Sequence, residues 1–348
     1  MDIVITLLVF FAIILIHEFG HFISARIFGM NVDEFSIGMG PRIFTVRGKH
    51  TLFSFRLLPI GGAVQLGEDF ESDDPNSFRN KPVWQRMIVI VAGAFMNLVL
   101  GFIVCIVSVS MDDSIATTKV SLFYDGSVSS ESLMVGDEIV EVNDMSIWTT
   151  MDISYCFQNT VAEADANSDR VFFDMDVIRN GERITLEKVP FALNTREDRT
   201  AGIVVDFAVM PADKTFLTVN EAAFKTALTE GRLIWITFYD LITGTYGIND
   251  LSGPVGVVST MSTAYKTMSF NEFLILVAFI TINIGIMNLL PIPALDGARF
   301  LFLLIEAIRR KPIPAEKEGI IHFIGFALLM LLMIIVTFND ISRLFTGG

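Results

Sequence analysis

Four apolar runs in this chain are each long enough to cross a bilayer: Ile3–Phe22, Met87–Val109, Phe273–Leu290 and Ile320–Phe338. A span takes about 20 such residues, and in hydrocarbon its backbone must satisfy its own hydrogen bonds, so each run is expected as a helix. Of the 348 residues, 52% are hydrophobic and 18% charged. A soluble domain carries about 25% charged residues. The chain therefore reads as an α-helical polytopic membrane protein with four transmembrane helices, and the lipid bilayer is its first partner. The first run is not expected to be a cleaved leader, because Asp2 precedes it where a basic segment would stand, and no small-residue cleavage site follows.

That first run is interrupted by chemistry. Leu15–Ile23 reads LIHEFGHFI. Residues four apart share one helix face, so His17 and His21 can bind one metal ion, and Glu18 stands where a carboxylate can take a proton from an activated water. Ionisable groups inside a span are costly, which makes them a functional hypothesis by default. The set is that of a zinc hydrolase, and its depth implies a substrate that is also in the membrane.

Catalytic zinc usually has three protein ligands and one open position. His50 and His322, the other two histidines, are expected in loops and are poor candidates for the third. Asp296 is better. It lies in NLLPIPALDG, Asn288–Gly297, where Pro291 and Pro293 interrupt the third span. Irregular backbone at that depth is tolerated where it lines a cavity or is buried in protein. A helix N-cap is the alternative role for Asp296. Asn97 and Asn288 also lie in spans. They can donate to a developing oxyanion or a substrate backbone, or simply bond neighbouring helices.

Between the first two spans, Arg42–Val46, Thr51–Leu57 and Ala63–Leu66 have strand character around Gly61-Gly62. They predict a small hairpin sheet, rich in apolar residues, that either dips into the membrane beside the site or is a plain connector covered by the spans. Its edge, Ala63, Val64, Gln65 and Leu66, could pair with an extended substrate segment. Leu228–Thr243 reads as an amphipathic helix on the membrane surface, and Ser252–Gly256 (SGPVG) as a tight turn. From Met111 to Phe270 there are 24 acidic against 11 basic residues. This stretch is a polar, β-rich domain, with turns at Asn143-Asp144 and Asn180-Gly181, and its acidity excludes nucleic acid as a partner. Cys105 and Cys156 are the only cysteines, so neither a disulfide framework nor a thiolate metal site is expected. Arginine and lysine crowd the loop from Arg26 to Arg86 and the loop from Arg309 to Lys317. The positive-inside rule puts both loops in the cytoplasm. Both termini and the polar domain are then extracytoplasmic, and the histidines lie toward the cytoplasmic side.

Together these pieces resemble the site-2 protease family of intramembrane zinc metalloproteases, in its bacterial RseP/RasP branch. HEFGH and NLLPIPALDG match the family's two motifs, and the likeness covers nearly the whole chain. The resemblance implies His17, His21 and Asp296 as ligands of Zn2+, Glu18 as the catalytic glutamate, Asn288 in substrate binding and Asn97 in the polar network of the site. GSVSSESLMVGDEIVEVND is similar to a PDZ domain of the family, and GGAVQLGE to the end of its membrane-associated β-hairpin. The implied layout has spans one and two with the hairpin in 1–110, an inserted extracytoplasmic PDZ domain in 111–200, a post-PDZ region with the interfacial helix in 201–270, and the last two spans in 271–348. Ala94 stands where the family often has proline, and Asn143-Asp144 where its PDZ turn is usually Asn-Gly. The implied partners are single-span membrane proteins in a bacterial cell membrane, either pre-cut anti-sigma factors or remnant signal peptides. A transporter or a non-catalytic PDZ scaffold with an intramembrane metal site is the alternative, and either would leave Glu18 without a role.

Overall fold

The computed structural model describes residues 2–67, 74–163, 169–195, 201–245, 247 and 251–346. Its contacts divide the chain into two compact units, 1–104 with 233–348, and 105–232.

The first unit is mainly helical. α1 (Asp2–Ile27), α2 (Val83–Met111), α6 (Phe270–Leu289) and α8 (Ala315–Thr346) contain the four expected spans. α6 opens with a capping box, in which Ser269 and Glu272 satisfy each other's backbone amides. It ends two residues before Pro291, as the prolines require. α7 (Asp296–Arg309) follows. α5 (Pro254–Thr267) was not legible as a helix: SGPVG is its first turn, with Gly253 as N-cap and Pro254 at N1, where a missing N–H costs nothing. The carboxylate of Asp340 on α8 accepts the amide N–H groups of Gly253, at 3.2 Å, and Gly256, at 2.7 Å. Met261 and Ala264 of α5 pack with Phe273 and Val277 of α6, flanked by Ile5, Val9 and Phe10 of α1.

The expected hairpin sheet forms from β1 (Glu34–Arg47) and β2 (Leu52–Gln65). Both strands bend, so they supply four runs in the order 42–47, 52–56, 34–37, 62–65. Run 34–37 pairs in parallel with 52–55 and antiparallel with 62–65, which leaves 62–65 at the edge. Ile43, Phe44, Phe55 and Leu57 remain exposed, and Phe55 stacks toward Phe11 of α1. Leu66 corrects the expected edge. It is 4% exposed and belongs to a core cluster with Ala25, Met30, Val32 and Val89. The sheet is held from inside by Glu34, only 2% exposed, which accepts from Arg42, Ser54 and Arg56. A buried carboxylate is tolerable only when its lone pairs are filled in this way.

In the second unit the strands are β3 (Ile115–Phe123), β4 (Glu138–Val142), β5 (Met145–Ser146), β6 (Arg170–Arg179), β7 (Glu182–Thr195), β8 (Ala201–Ile203) and β9 (Phe207–Ala212). They form one sheet in the order β8-β7-β6-β4-β3-β9, with β5 beside β4. Alternate residues of β6, Val171, Phe173, Met175 and Val177, are buried against α3 (Thr150–Glu163) through Phe157. Asn143-Asp144 and Asn180-Gly181 both have positive φ and close two-residue hairpins, the conformation of type I′ turns. α4 (Phe216–Thr243) is longer than the sequence suggested. Its Thr229 and Arg232 bind Asp152, which also accepts the amides of Trp148 and Thr149 at the start of α3. Its Glu230 is fully buried, with the Cys105 thiol 3.8 Å away.

Burial opposes ionisation of Glu34, but the hydrogen bonds from Arg42, Ser54 and Arg56 outweigh it and bring its pKa down to about 2. A depressed folded-state pKa gives stability that is complete above the unfolded value near 4.5 and is lost as pH falls toward 2. Hydrogen exchange of residues 34–65, corrected for intrinsic rate, should show protection falling across that window. Glu34→Gln should flatten the dependence and lower protection at neutral pH; an unchanged pH profile in the variant would exclude Glu34 as its source.

Candidate metal centre

His17 and His21 stand one turn apart on α1, so both imidazoles leave the same face. That face meets α2 at very short range. A side chain on Gly20 would collide with the carbonyl of Ala92, with Gly93 Cα at 2.9 Å. Small residues at such a crossing let helix backbones approach closely in a membrane. The approach lets His21 Nδ1 donate to the Val89 carbonyl at 2.8 Å. This bond fixes the tautomer and leaves Nε2 free to ligate, the usual arrangement behind a metal-binding histidine. Gly93 lies against both rings. A Cβ there would strike His21 Nε2 and come within 2.9 Å of His17 Cε1.

Asp296 comes from the other end of the sequence. It is the first residue of α7, the N-cap position is Leu295, and no side chain caps the helix. Its carboxylate is turned instead toward the histidines, with Oδ2 at 3.1 Å from Nε2 of each. The two Nε2 atoms are 3.2 Å apart. This is the one group of His, Cys, Asp and Glu among the described residues whose donors converge for a metal. Tetrahedral zinc with bonds of about 2.0–2.1 Å places its ligand atoms about 3.3–3.4 Å apart. The triangle is within a few tenths of an ångström of that, and two nitrogens with one oxygen are donors zinc accepts. The residues therefore fit Zn2+ with one position left over.

Glu18 lies next to this triangle, half-buried, and accepts no hydrogen bond among the described residues. β2 runs directly over it: a Cβ on Gly62 would sit 2.5 Å from Glu18 Cγ. Asn97 is fully buried and its amide nitrogen is 3.5 Å from His17 Nδ1, while its Oδ1 has no partner among the described residues. Asn288 is half-buried in the last turn of α6 and joins no hydrogen bond to the site. Ala63, Val64 and Gln65 form the edge run beside Gly62. His50 is exposed in the turn between β1 and β2, and His322 lies in α8 rather than in a loop. The Val89 carbonyl, Gly62 and Gly93 were not singled out from sequence. A backbone acceptor carries no residue signature, and a missing Cβ has meaning only once its neighbours are placed.

Residues 5–332 match the model of peptidase family M50. A protein of Clostridium acetobutylicum is 35% identical over 343 residues, 98% of this chain and 97% of its own length. The regulator of sigma-W protease RasP of Bacillus subtilis is 30% identical over 426 residues, covering 97% of this chain and 98% of its own. The zinc metalloprotease RasP of Bacillus licheniformis is 32% identical over 424, with the same coverage.

The Gly93 contact predicts that Gly93→Ala drives the two rings apart. Bound zinc per chain should fall well below that of the parent protein, with cleavage down at least tenfold, the lower end of what losing ligand orientation costs. Metal analysis of the purified variant checks this; full zinc content would show that α2 does not set the ligand spacing.

Proposed function

This chain belongs to peptidase family M50 and is a zinc metalloprotease, and on that premise we propose how its residues divide the hydrolysis of peptide bonds within the membrane. The observation that carries the reading is the convergence of His17, His21 and Asp296 at one end of an apolar helix that could not bury them singly. His17, His21 and Asp296 hold the ion. Zinc bound there would supply a Lewis acid for a water molecule. Glu18 takes the proton from that water and returns it to the departing amine. Asn97 steadies the His17 ring, and Asn288 contacts the substrate backbone.

The substrate is the transmembrane segment of a single-span membrane protein. A helix hides its peptide bonds, so it must unwind before cleavage, and unpaired backbone groups are costly in lipid. The edge run of β2 offers partners for them. Ala63, Val64 and Gln65 hold the unwound strand in β-pairing while Gly62 keeps it beside Glu18. The name of the Bacillus subtilis relative favours a pre-cut anti-sigma factor as substrate, with remnant signal peptides as a second kind. We read residues 111–200 as an extracytoplasmic PDZ domain, its sheet completed by β8 and β9. This is supported by the Gly-Asp turn at 136–137, the tight hairpins and the single helix α3 packed on the sheet. The domain acts as a filter that excludes substrates with an intact folded extracytoplasmic part. Residues 1–110 and 271–348 form the catalytic membrane part, and 201–270 is the post-PDZ region, whose stretch Leu228–Thr243 we read as an amphipathic helix on the membrane surface. Loop charge supports both termini outside, the site toward the cytoplasm, and a location in a bacterial cell membrane.

Cleavage of a tagged single-span reporter by purified protein in detergent tests the activity. Wild type should cut, a chelator should stop it, and Glu18→Gln should lower the rate by about 10²–10⁴-fold, the usual contribution of a general base. Equal cutting by both proteins would sink the assignment of Glu18, and flux of an ion in proteoliposomes without cleavage would favour a transporter. Proline placed in turn at Ala63, Val64 and Gln65 removes one amide N–H each. The position whose N–H faces outward should lose about fivefold in kcat/KM, the equivalent of one hydrogen bond of about 1 kcal/mol, with zinc retained. If all three variants cleave normally, the edge is not the docking strand.

The filter has its own test. Wild type should cut a reporter with a short extracytoplasmic tail and spare one that keeps a folded domain there; equal cutting of the two would remove size exclusion from the reading.

A further inference from the structure

The segment that delivers Asp296 is wound tightly and against its own preference. The Ile292 N–H donates to the Leu290 carbonyl at 2.7 Å, and the Leu295 N–H to the Ile292 carbonyl at 3.1 Å. Gly297 is pressed under the carbonyls of Leu289 and Leu290, where no side chain fits. Ala294 has φ +81°, in the left-handed region that residues with a Cβ rarely enter. Such a conformation persists only where the surroundings over-determine it.

The surroundings here are two residues of α8. His322 Nδ1 accepts the Ala294 N–H at 3.0 Å. One turn further on, Gly325 abuts Pro293: a Cβ on it would lie 2.7 Å from the Pro293 carbonyl oxygen and 2.8 Å from its carbon. The His322 ring also stands edge-on to Phe302 of α7, with centroids 5.5 Å apart. An acceptor at Nδ1 means that the ring carries its proton on Nε2.

We propose that His322 and Gly325 are positioning residues for the third metal ligand. They clamp Pro293 and Ala294, and so fix where the Asp296 carboxylate emerges, two residues later, at the start of α7. The inference rests on the metal reading above. His322 itself is no ligand; it acts through the backbone of the loop. The same contacts explain why a span as lightly packed as α8 presents a histidine and a glycine one turn apart on its inner face.

Zinc affinity of the purified full-length protein, measured by competition with a chelator, tests this directly. His322→Phe keeps a ring against Phe302 and removes the acceptor. His322→Asn places a carbonyl oxygen near the position of Nδ1. His322→Phe should weaken zinc binding about 10–100-fold, the usual cost of losing a group that orients a ligand, whereas His322→Asn should stay close to wild type. Gly325→Ala should also weaken binding, because its methyl displaces Pro293. Unchanged affinity in His322→Phe, or equal losses in His322→Phe and His322→Asn, overturns the clamp. Should His322→Phe fail to fold, Gly325→Ala decides alone, and wild-type affinity in it overturns the clamp. Absence of stoichiometric zinc in wild type, or its persistence in His17→Ala, instead overturns the metal reading and removes the clamp's purpose with it.

Discussion

Three electron-rich atoms, Nε2 of His17, Nε2 of His21 and Oδ2 of Asp296, lie 3.1–3.2 Å from one another in a helical unit built to sit in lipid. Convergence at this spacing is what a metal ion asks of its ligands, and a cation held there would be attracted to all three. The rest of the first unit can be understood as what brings the three atoms together and keeps other atoms out. α1 supplies two of them by helical periodicity alone. α2 supplies the acceptor for His21. The broken segment after α6 brings the third from a position almost 280 residues away in sequence.

Glycine makes these approaches possible. At Gly20, Gly62, Gly93, Gly297 and Gly325 any Cβ would collide with a neighbour. The neighbour is backbone at Gly20 and Gly297, a side chain of the site at Gly62 and Gly93, and Pro293 at Gly325. In lipid, burial of apolar surface does not drive helices together as it does in water, so close van der Waals packing must do so. The short distances that serve catalysis are thus also the ones that hold the unit together. A methyl group at these positions acts on geometry first and on stability second.

Much of this was readable beforehand because a membrane leaves few options. A run of 20 apolar residues has to be a helix, so α1, α2, α6 and α8 could be drawn from the sequence alone. HEFGH put two imidazoles on one helix face by the 3.6-residue period, and the prolines at 291 and 293 marked where α6 stops. What escaped depends on contacts distant in sequence. The start of α5 reads as a turn because Gly-Pro-Val-Gly suits both a turn and a helix start, and only the carboxylate of Asp340 shows which amides are being satisfied. Leu66 looked like an edge residue because alternation gives the faces of a strand but not where pairing ends. The burial of Glu230 beside Cys105 has no signature in the sequence either, because it depends on which helices meet.

Peptide hydrolysis inside a bilayer sets two demands that conflict. The scissile bond must be exposed, yet an exposed peptide group in hydrocarbon costs several kcal/mol. A soluble protease can leave that group to water. Here the partner has to come from protein, and it has to be within reach of the base. Gly62 belongs to the run 62–65 that pairs with 34–37, and it is the residue of that run whose missing Cβ makes room for Glu18. A side chain at Gly62 would push the strand away from the carboxylate, and a well-paired edge would offer the substrate nothing. Glu34, buried with Arg42, Ser54 and Arg56 around it, ties run 34–37 to the runs that carry those residues. On this reading the sheet substitutes for solvent: it satisfies the substrate backbone in the one place where Glu18 and the metal ligands can act on it.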